Sequence, residues 1–560
     1  MRNQELGNRE SGIGQQAASS GNQESLYGVA AVPADSPNAE SPSSVGRGIA
    51  LAAALIMVGN LASRVFGLIR DSVITAQFGI GNDVSLFRIL SAVPTQLYDF
   101  LVGGLVSAAL IPVLSDYIES DDQRSLWRLV STVLTVLLLA LGAIGSVIWL
   151  YAGPISRFLA TERISTPALA ITATAMLRTM IVAVGFMGIS GLLTGLLQAQ
   201  RRFLLPAFTT SVFNIGIISV VLLSSSGSVQ VLAWGMLAGA LAQVVLQTPG
   251  LRGAHIRPLL DFGHPGVRRV GILYAPVALG ISFSLVGTTV DRRLAGLISE
   301  SAAAYMNTAT TLVQFTLGLV AAAISLAILP TLARLNSSND EAGFRRVLGM
   351  GLKTVVLIIV PAMVVLAFLG EPVVRLMFER NKFTPEDTRV TALVLLAYLP
   401  SLLAAAVDQP LIFAFYARKR TLLPNLVQGV AVAAYFVVAF ASYRTWGMYG
   451  LVAANVVQWI VHALVMIGLA QRQLNVFAEQ AMGAALSKIA LAAGAMAGVC
   501  WALTNLFPHN TSKINALVTL VVAGGISSLL YGAILWWLKL DALRFFGAAI
   551  GKKLRKRQDS

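Results

Sequence analysis

Of the 560 residues in this chain 56% are hydrophobic and only 12% charged, with a mean hydropathy of +0.74; a soluble domain carries roughly 25% charged residues, so a soluble fold is excluded. The formal charge of +15 is scattered over short loops between apolar runs, a pattern that argues against nucleic acid and for orientation in a membrane. Cys500 is the single cysteine, the four histidines show no i, i+4 pairing, and no P-loop, zinc-protease or nucleophile-elbow motif occurs, so disulfide, metal, ATPase and acyl-transfer chemistry have no footing.

Residues 1–46 are rich in Ser, Gly, Asn, Gln and Glu and read as a disordered cytoplasmic tail. The first apolar run starts near Gly48, too late and too long for a signal peptide. Runs then recur at about 48–78, 84–115, 125–152, 168–199, 205–225, 229–251, 267–297, 303–333, 343–370, 386–417, 424–443, 448–471, 482–506 and 514–540. These predict an all-α integral membrane protein of about fourteen spans, each of about 20 apolar residues. A cytoplasmic N-terminus places Arg124, Arg128, Arg201, Arg202, Arg268, Arg269, Arg345, Arg346, Arg418, Arg420 and Arg472 inside with a basic tail at 546–560, and leaves few cations outside. Both termini are therefore expected in the cytoplasm.

The chain also matches itself. Leu110-Ile111-Pro112-Val113-Leu114 resembles Ile328-Leu329-Pro330-Thr331-Leu332, Pro154–Arg157 resembles Pro372–Arg375, and Ala199–Pro206 resembles Ala417–Pro424, each pair 218 residues apart. Three ordered matches at one offset indicate a duplicated unit. Six spans per unit make the copies parallel: one half over 47–264, a second over 265–475, and two further helices over 476–545. Parallel repeats of this kind build transporters with a central site between rocking halves.

Charges inside spans cost roughly 2.5–3.5 kcal/mol and usually face a cavity or a partner. Arg64 and Asp71 lie seven residues apart on one helix face with Gly67 between them and Arg70 on the flank. Arg70 and Asp71 also fit the wet end of a helix. Arg88 and Asp99 fall on a common face of the second span across Pro94, either as a packing pair or as a ligand site. Arg292, within Asp291-Arg292-Arg293, holds the corresponding place in the second half or belongs to an interfacial cluster. Asp408, before Pro410, is a candidate for ion coupling or a carboxyl bonded locally at a kink; Gly191 and Gly195 form a G-x-x-x-G packing pattern.

Ser63-Arg64-Val65-Phe66-Gly67-Leu68-Ile69-Arg70-Asp71 resembles the S-R-x-x-G-x-x-R-[DE] signature of the MurJ/MviN family of lipid II flippases. Gly191–Pro206 with Asn214, Phe383–Thr388 and Ala414–Arg418 resemble further segments of that family, so the likeness runs from about Gly48 to Leu540. The chain departs from the family pattern at Ser85, Tyr98, Asp99, Gly103, Thr311 and Gln314. The resemblance implies two six-helix halves forming a V around a cationic cavity, two extra helices making a lipid-tail groove, and an undecaprenyl-diphosphate-linked peptidoglycan precursor as substrate. It implies an inner-membrane monomer among membrane lipids and other cell-wall synthesis proteins, with no cofactor beyond the membrane potential or an ion gradient, a monovalent cation included. Arg64 and Arg70, with Arg88 or Arg292, would receive the diphosphate, since a guanidinium pairs bidentately with phosphate oxygens. The alternatives are a flippase for another polyprenyl-linked glycan, a cation-coupled drug exporter, a non-transporting scaffold and, more remotely, a membrane glycosyltransferase.

Overall fold

A computed structural model describes residues 42–539 except 121, 161–165, 225–226, 252, 300, 419, 421, 477–480 and 507–511. The basic tail at 546–560 and most of the expected N-terminal tail lie outside the described residues. The first helix begins at Pro42, so that tail's predicted boundary at residue 46 falls inside the helix.

The helices in chain order are α1 (Pro42–Phe78), α2 (Asn82–Leu90), α3 (Ala92–Tyr98), α4 (Ile111–Glu119), α5 (Gln123–Leu150), α6 (Ala152–Leu159), α7 (Pro167–Ala199), α8 (Leu204–Leu223) and α9 (Gln230–Gln247). Then come α10 (Pro265–Ile298), α11 (Ala302–Leu317), α12 (Ala323–Ser337), α13 (Glu341–Phe368), α14 (Gly370–Phe378), α15 (Pro385–Ala417), α16 (Leu422–Trp446), α17 (Met448–Leu474), α18 (Met482–Leu506), α19 (Lys513–Thr519) and α20 (Gly525–Trp537). No strand occurs among the described residues. Among the described residues eleven stretches are long and apolar enough to cross a membrane, twelve if α10, bent by 51° between Ala275 and Gly280, is one span. Outside that count are α1 and the expected second span, which is divided at Ser91 and by two π-helical turns, Asp99–Gly103 and Val106–Leu110.

The 218-residue offset extends to the helix caps. Asp122 accepts the Ser125 N–H at 3.0 Å to start α5, and Asp340 accepts the Gly343 N–H at 2.8 Å to start α13. The bond from the Ser125 backbone holds the Asp122 carboxyl below its ordinary range. Thr166 caps α7 and Thr384 caps α15, the latter in a reciprocal capping box with Asp387. Each of α7 and α15 is 33 residues long with Pro in its first turn, where a missing N–H costs nothing.

Small residues set the closest helix contacts. A Cβ on Gly216 of α8 would fall 2.5 Å from the Cα of Gly239 on α9, so the two backbones touch. Gly216→Leu is expected to force them apart at about 1–3 kcal/mol, read as a lower unfolding midpoint of the full chain in detergent; an unchanged midpoint would show the contact to be slack.

Arg128–Asp261 (2.5 Å), Arg269–Asp116 (2.6 Å) and Arg418–Glu341 pair at one end of the bundle, the basic end. The opposite end carries Arg375 between Glu371 (2.8 Å) and Glu379 (3.0 Å). The expected V-shaped opening between the halves is closed at both ends. At the basic end Arg269 of α10 holds Asp116 of α4, and deeper in, Gly104 takes the side chains of Val277 and Ile281 against its backbone. At the opposite end the Lys382 N–H donates to the Ala76 carbonyl at 3.2 Å, Ser72 donates to the Met377 carbonyl, and Arg293 donates to the Phe158 carbonyl.

Candidate substrate site

The C-terminal half of α1 carries the polar face that the sequence marks. Asp71 is fully buried and forms its centre. Its Oδ1 accepts from Arg70 Nη2 at 2.9 Å and Nε at 3.1 Å, and from Arg88 Nη2 of α2 at 2.9 Å. Its Oδ2 accepts from the Thr311 hydroxyl of α11 at 2.7 Å. One carboxylate thus ties α1 to α2 and, across the halves, to α11. Arg70 reaches further, donating to Asn214 Oδ1 of α8 at 3.0 Å, and Asn214 returns a bond to the Ser63 carbonyl at 3.3 Å. Gly67 lies beside this bond, where a Cβ would make only ordinary contact, 3.7 Å from Asn214 Nδ2.

Arg64 is exposed and lies about two turns away along the same helix. It donates to the Gln314 carbonyl at 3.1 Å, and its guanidinium covers Gly318, where a Cβ would come 2.5 Å from Nε. Gly318 opens the π-helical turn Gly318–Ala322 between α11 and α12. The other half has a π turn at Asp99–Gly103, one residue from the 218 offset. Such turns loosen the helix ladder and are frequent at functional sites.

The cluster is short of acceptors. Arg70 and Arg88 face one carboxylate, and Arg88 also feels the like charge of Arg292. Asp291, beside Arg292, is occupied with Tyr435 at 2.9 Å and Asn455 at 3.0 Å. The Nε groups of Arg88 and Arg292 are buried with no acceptor among the described residues. Buried guanidinium donors without partners are costly. An anionic group carrying several oxygens would satisfy both.

Other candidates lie elsewhere. Asp99 is exposed and, among the described residues, makes no ion pair with Arg88, whose partner is Asp71, so the expected packing pair does not form. Gly191 and Gly195 of α7 admit Val102, Tyr98, Val106 and Leu110 and serve packing. Asp408 is buried in the second half, its Oδ2 2.8 Å from His462 Nδ1 of α17, away from the arginines. A groove of about 760 Å³ lies on the outer face of the first half, lined among others by Trp149, Arg157, Arg178 and Trp234. Four participants escaped sequence reasoning. Thr311 and Gln314 are departures from the family pattern, Asn214 is only part of a motif, and His462 has no i, i+4 partner.

An all-helical bundle of apolar spans built around a buried guanidinium cluster defines a polytopic membrane transporter. A solved structure titled lipid II flippase MurJ, inward closed conformation, superposes with a TM-score of 0.73 over 86% of this chain and 98% of that one, at 21% identity. An inward-facing multidrug resistance MATE family transporter of the MOP superfamily gives 0.61 over 76% of this chain and 98% of its own, at 12% identity. Residues 74–523 match the family model described as lipid II flippase MurJ, and the chain belongs to the MurJ family. A probable lipid II flippase MurJ of Vibrio cholerae is 27% identical over 424 residues, 72% of this chain and 79% of that protein. The lipid II flippase MurJ of Burkholderia cenocepacia is 26% identical over 369 residues, 64% of this chain and 71% of that protein.

Proposed function

We propose that the protein moves lipid II, the lipid-linked peptidoglycan precursor, across the bacterial cytoplasmic membrane by alternating access between its two halves. The observation that carries this reading is the Asp71-centred cluster, in which Arg88 holds a buried Nε–H with no acceptor among the described residues; Arg292 of α10 holds a second. A diphosphate supplies the missing oxygens, and guanidinium groups lower the cost of carrying that charge through an apolar layer. Arg64, Arg70, Arg88 and Arg292 take the head group, while Asp71 keeps the cluster from self-repulsion before substrate arrives. Asp99, exposed in the same broken span, lies outside this role.

The basic end faces the cytoplasm, where retained Lys and Arg orient such a chain, so both termini lie inside. In the cycle Arg269–Asp116 parts to admit substrate, and the contacts of Ser72, Lys382 and Arg293 part to release it. The membrane potential, worth about 2.3 kcal/mol per charge per 100 mV, or an ion gradient drives the movement. The protein works as a monomer among membrane lipids and other cell-wall synthesis proteins.

Expression in cells depleted of their own lipid II flippase is expected to restore growth. Absence of rescue at normal membrane abundance would shift the substrate to another polyprenyl-diphosphate glycan.

A further inference from the structure

The second half holds a polar pair that the arginine site does not use. Asp408 is completely buried and His462 nearly so, with Oδ2 and Nδ1 2.8 Å apart. Both carboxylate oxygens of Asp408 and the Nδ1 of His462 lack a well-aligned hydrogen-bond partner among the described residues, so the two groups stand close but poorly aligned. One turn further along each helix, Leu411 and Met466 are packed with Leu348 and Leu352 in an apolar cluster.

Helices α11, α12, α13, α14, α16 and α17 pack around α15, and α10 also packs on α17. Among their charged and titratable groups are Tyr305, Arg334, Lys353, Glu371, Arg375, Tyr435, Arg444, Asp291, Arg292 and Arg472, and α15 itself carries Glu386, Asp387 and Arg389 in its first turns and Tyr398 and Tyr416 further on. Among the described residues the ion-pair partner of Asp408 is His462.

We propose that Asp408 and His462 form a proton-binding site that couples lipid movement to the proton gradient, an inference that rests on the transport reading above. The donor set favours a proton. A hard metal cation asks for several oxygens, and here one carboxylate and an imidazole stand in an apolar surround. Loaded, the pair shares one proton, as imidazolium and carboxylate or as two neutral groups, and carries no net charge. Unloaded, the proton has passed to water and a bare carboxylate remains, which an apolar interior tolerates poorly. The unloaded state therefore favours a conformation that lets water reach Asp408. Pro400 and Pro410 lie inside α15 on either side of Asp408. Pro410 has no N–H for the Ala406 carbonyl, so α15 bends there more readily than an unbroken helix.

The test uses the full chain with lipid II in liposomes, the voltage clamped at zero and a pH gradient imposed. For one coupled proton the steady-state ratio of lipid II between leaflets shifts by about tenfold per pH unit. Replacing sodium with choline leaves that shift intact, and Asp408→Asn and His462→Gln each abolish it. Lipid movement in the wild-type chain that ignores the pH gradient, or a response that vanishes with sodium, overturns the proton site and leaves the transport reading standing. So does an intact response in both variants. No movement by the wild-type chain under either gradient or voltage overturns both readings. The wild-type measurements decide the matter even if a variant fails to fold.

Discussion

Asp71→Ala is expected to abolish rescue of flippase-depleted cells and to lower the stability of the chain by about 3–5 kcal/mol, the cost of leaving a buried ionic partner alone. Arg88 is 8% exposed, and among the described residues its acceptor is Asp71. Without that carboxylate, Arg70 and Arg88 repel each other and the Thr311 hydroxyl loses its acceptor across the halves. A second change separates folding from transport. Asp71→Ala with Arg88→Met removes the most buried ion pair as a unit and leaves Arg70, 25% exposed, bonded to Asn214, so the unfolding midpoint should recover much of the loss, because an apolar replacement of a buried pair is often neutral or better. Rescue should stay absent, because the anion site has lost a guanidinium. A double variant that restores growth would remove Arg88 from the substrate site.

The bundle was legible because apolar runs and loop charges are read one span at a time. The duplication was legible for a similar reason: the caps Asp122 and Asp340, and Thr166 and Thr384, are local signals that recur at the offset of the sequence matches. The signature on α1 likewise pointed to Arg64, Arg70 and Asp71. Their partners were harder to read, because Asn214, Arg88 and Thr311 come from α8, α2 and α11, at separations of 144, 17 and 240 residues. Spacing alone could not tell that Arg88 pairs with Asp71 of the neighbouring helix and not with Asp99 on its own segment. Thr311 and Gln314 looked like losses against the family pattern, yet one hydroxyl and one backbone carbonyl at those positions bind Asp71 and Arg64. The second of these contacts depends on backbone, which no side-chain motif records.

Arg64→Ala is expected to lose rescue as completely as Asp71→Ala while leaving the unfolding midpoint within the range of an ordinary surface change, about 0.5 kcal/mol. Arg64 is exposed and makes one bond, to the Gln314 carbonyl, so little of the fold leans on it. A charge-assisted contact to the diphosphate is worth about 1.5–3 kcal/mol, which lowers lipid II movement in liposomes by roughly ten- to a hundredfold. Arg64→Lys should recover only part of that rate, since an ammonium keeps the charge and loses the bidentate fork. Gly318→Ala supplies a test that leaves the charge in place. Its methyl group would lie 2.5 Å from Arg64 Nε, so the guanidinium must swing off the π-helical turn. If the position of Arg64 matters, Gly318→Ala slows movement with the arginine still present. Normal movement in both Arg64→Ala and Gly318→Ala would place the head group on Arg70, Arg88 and Arg292 alone.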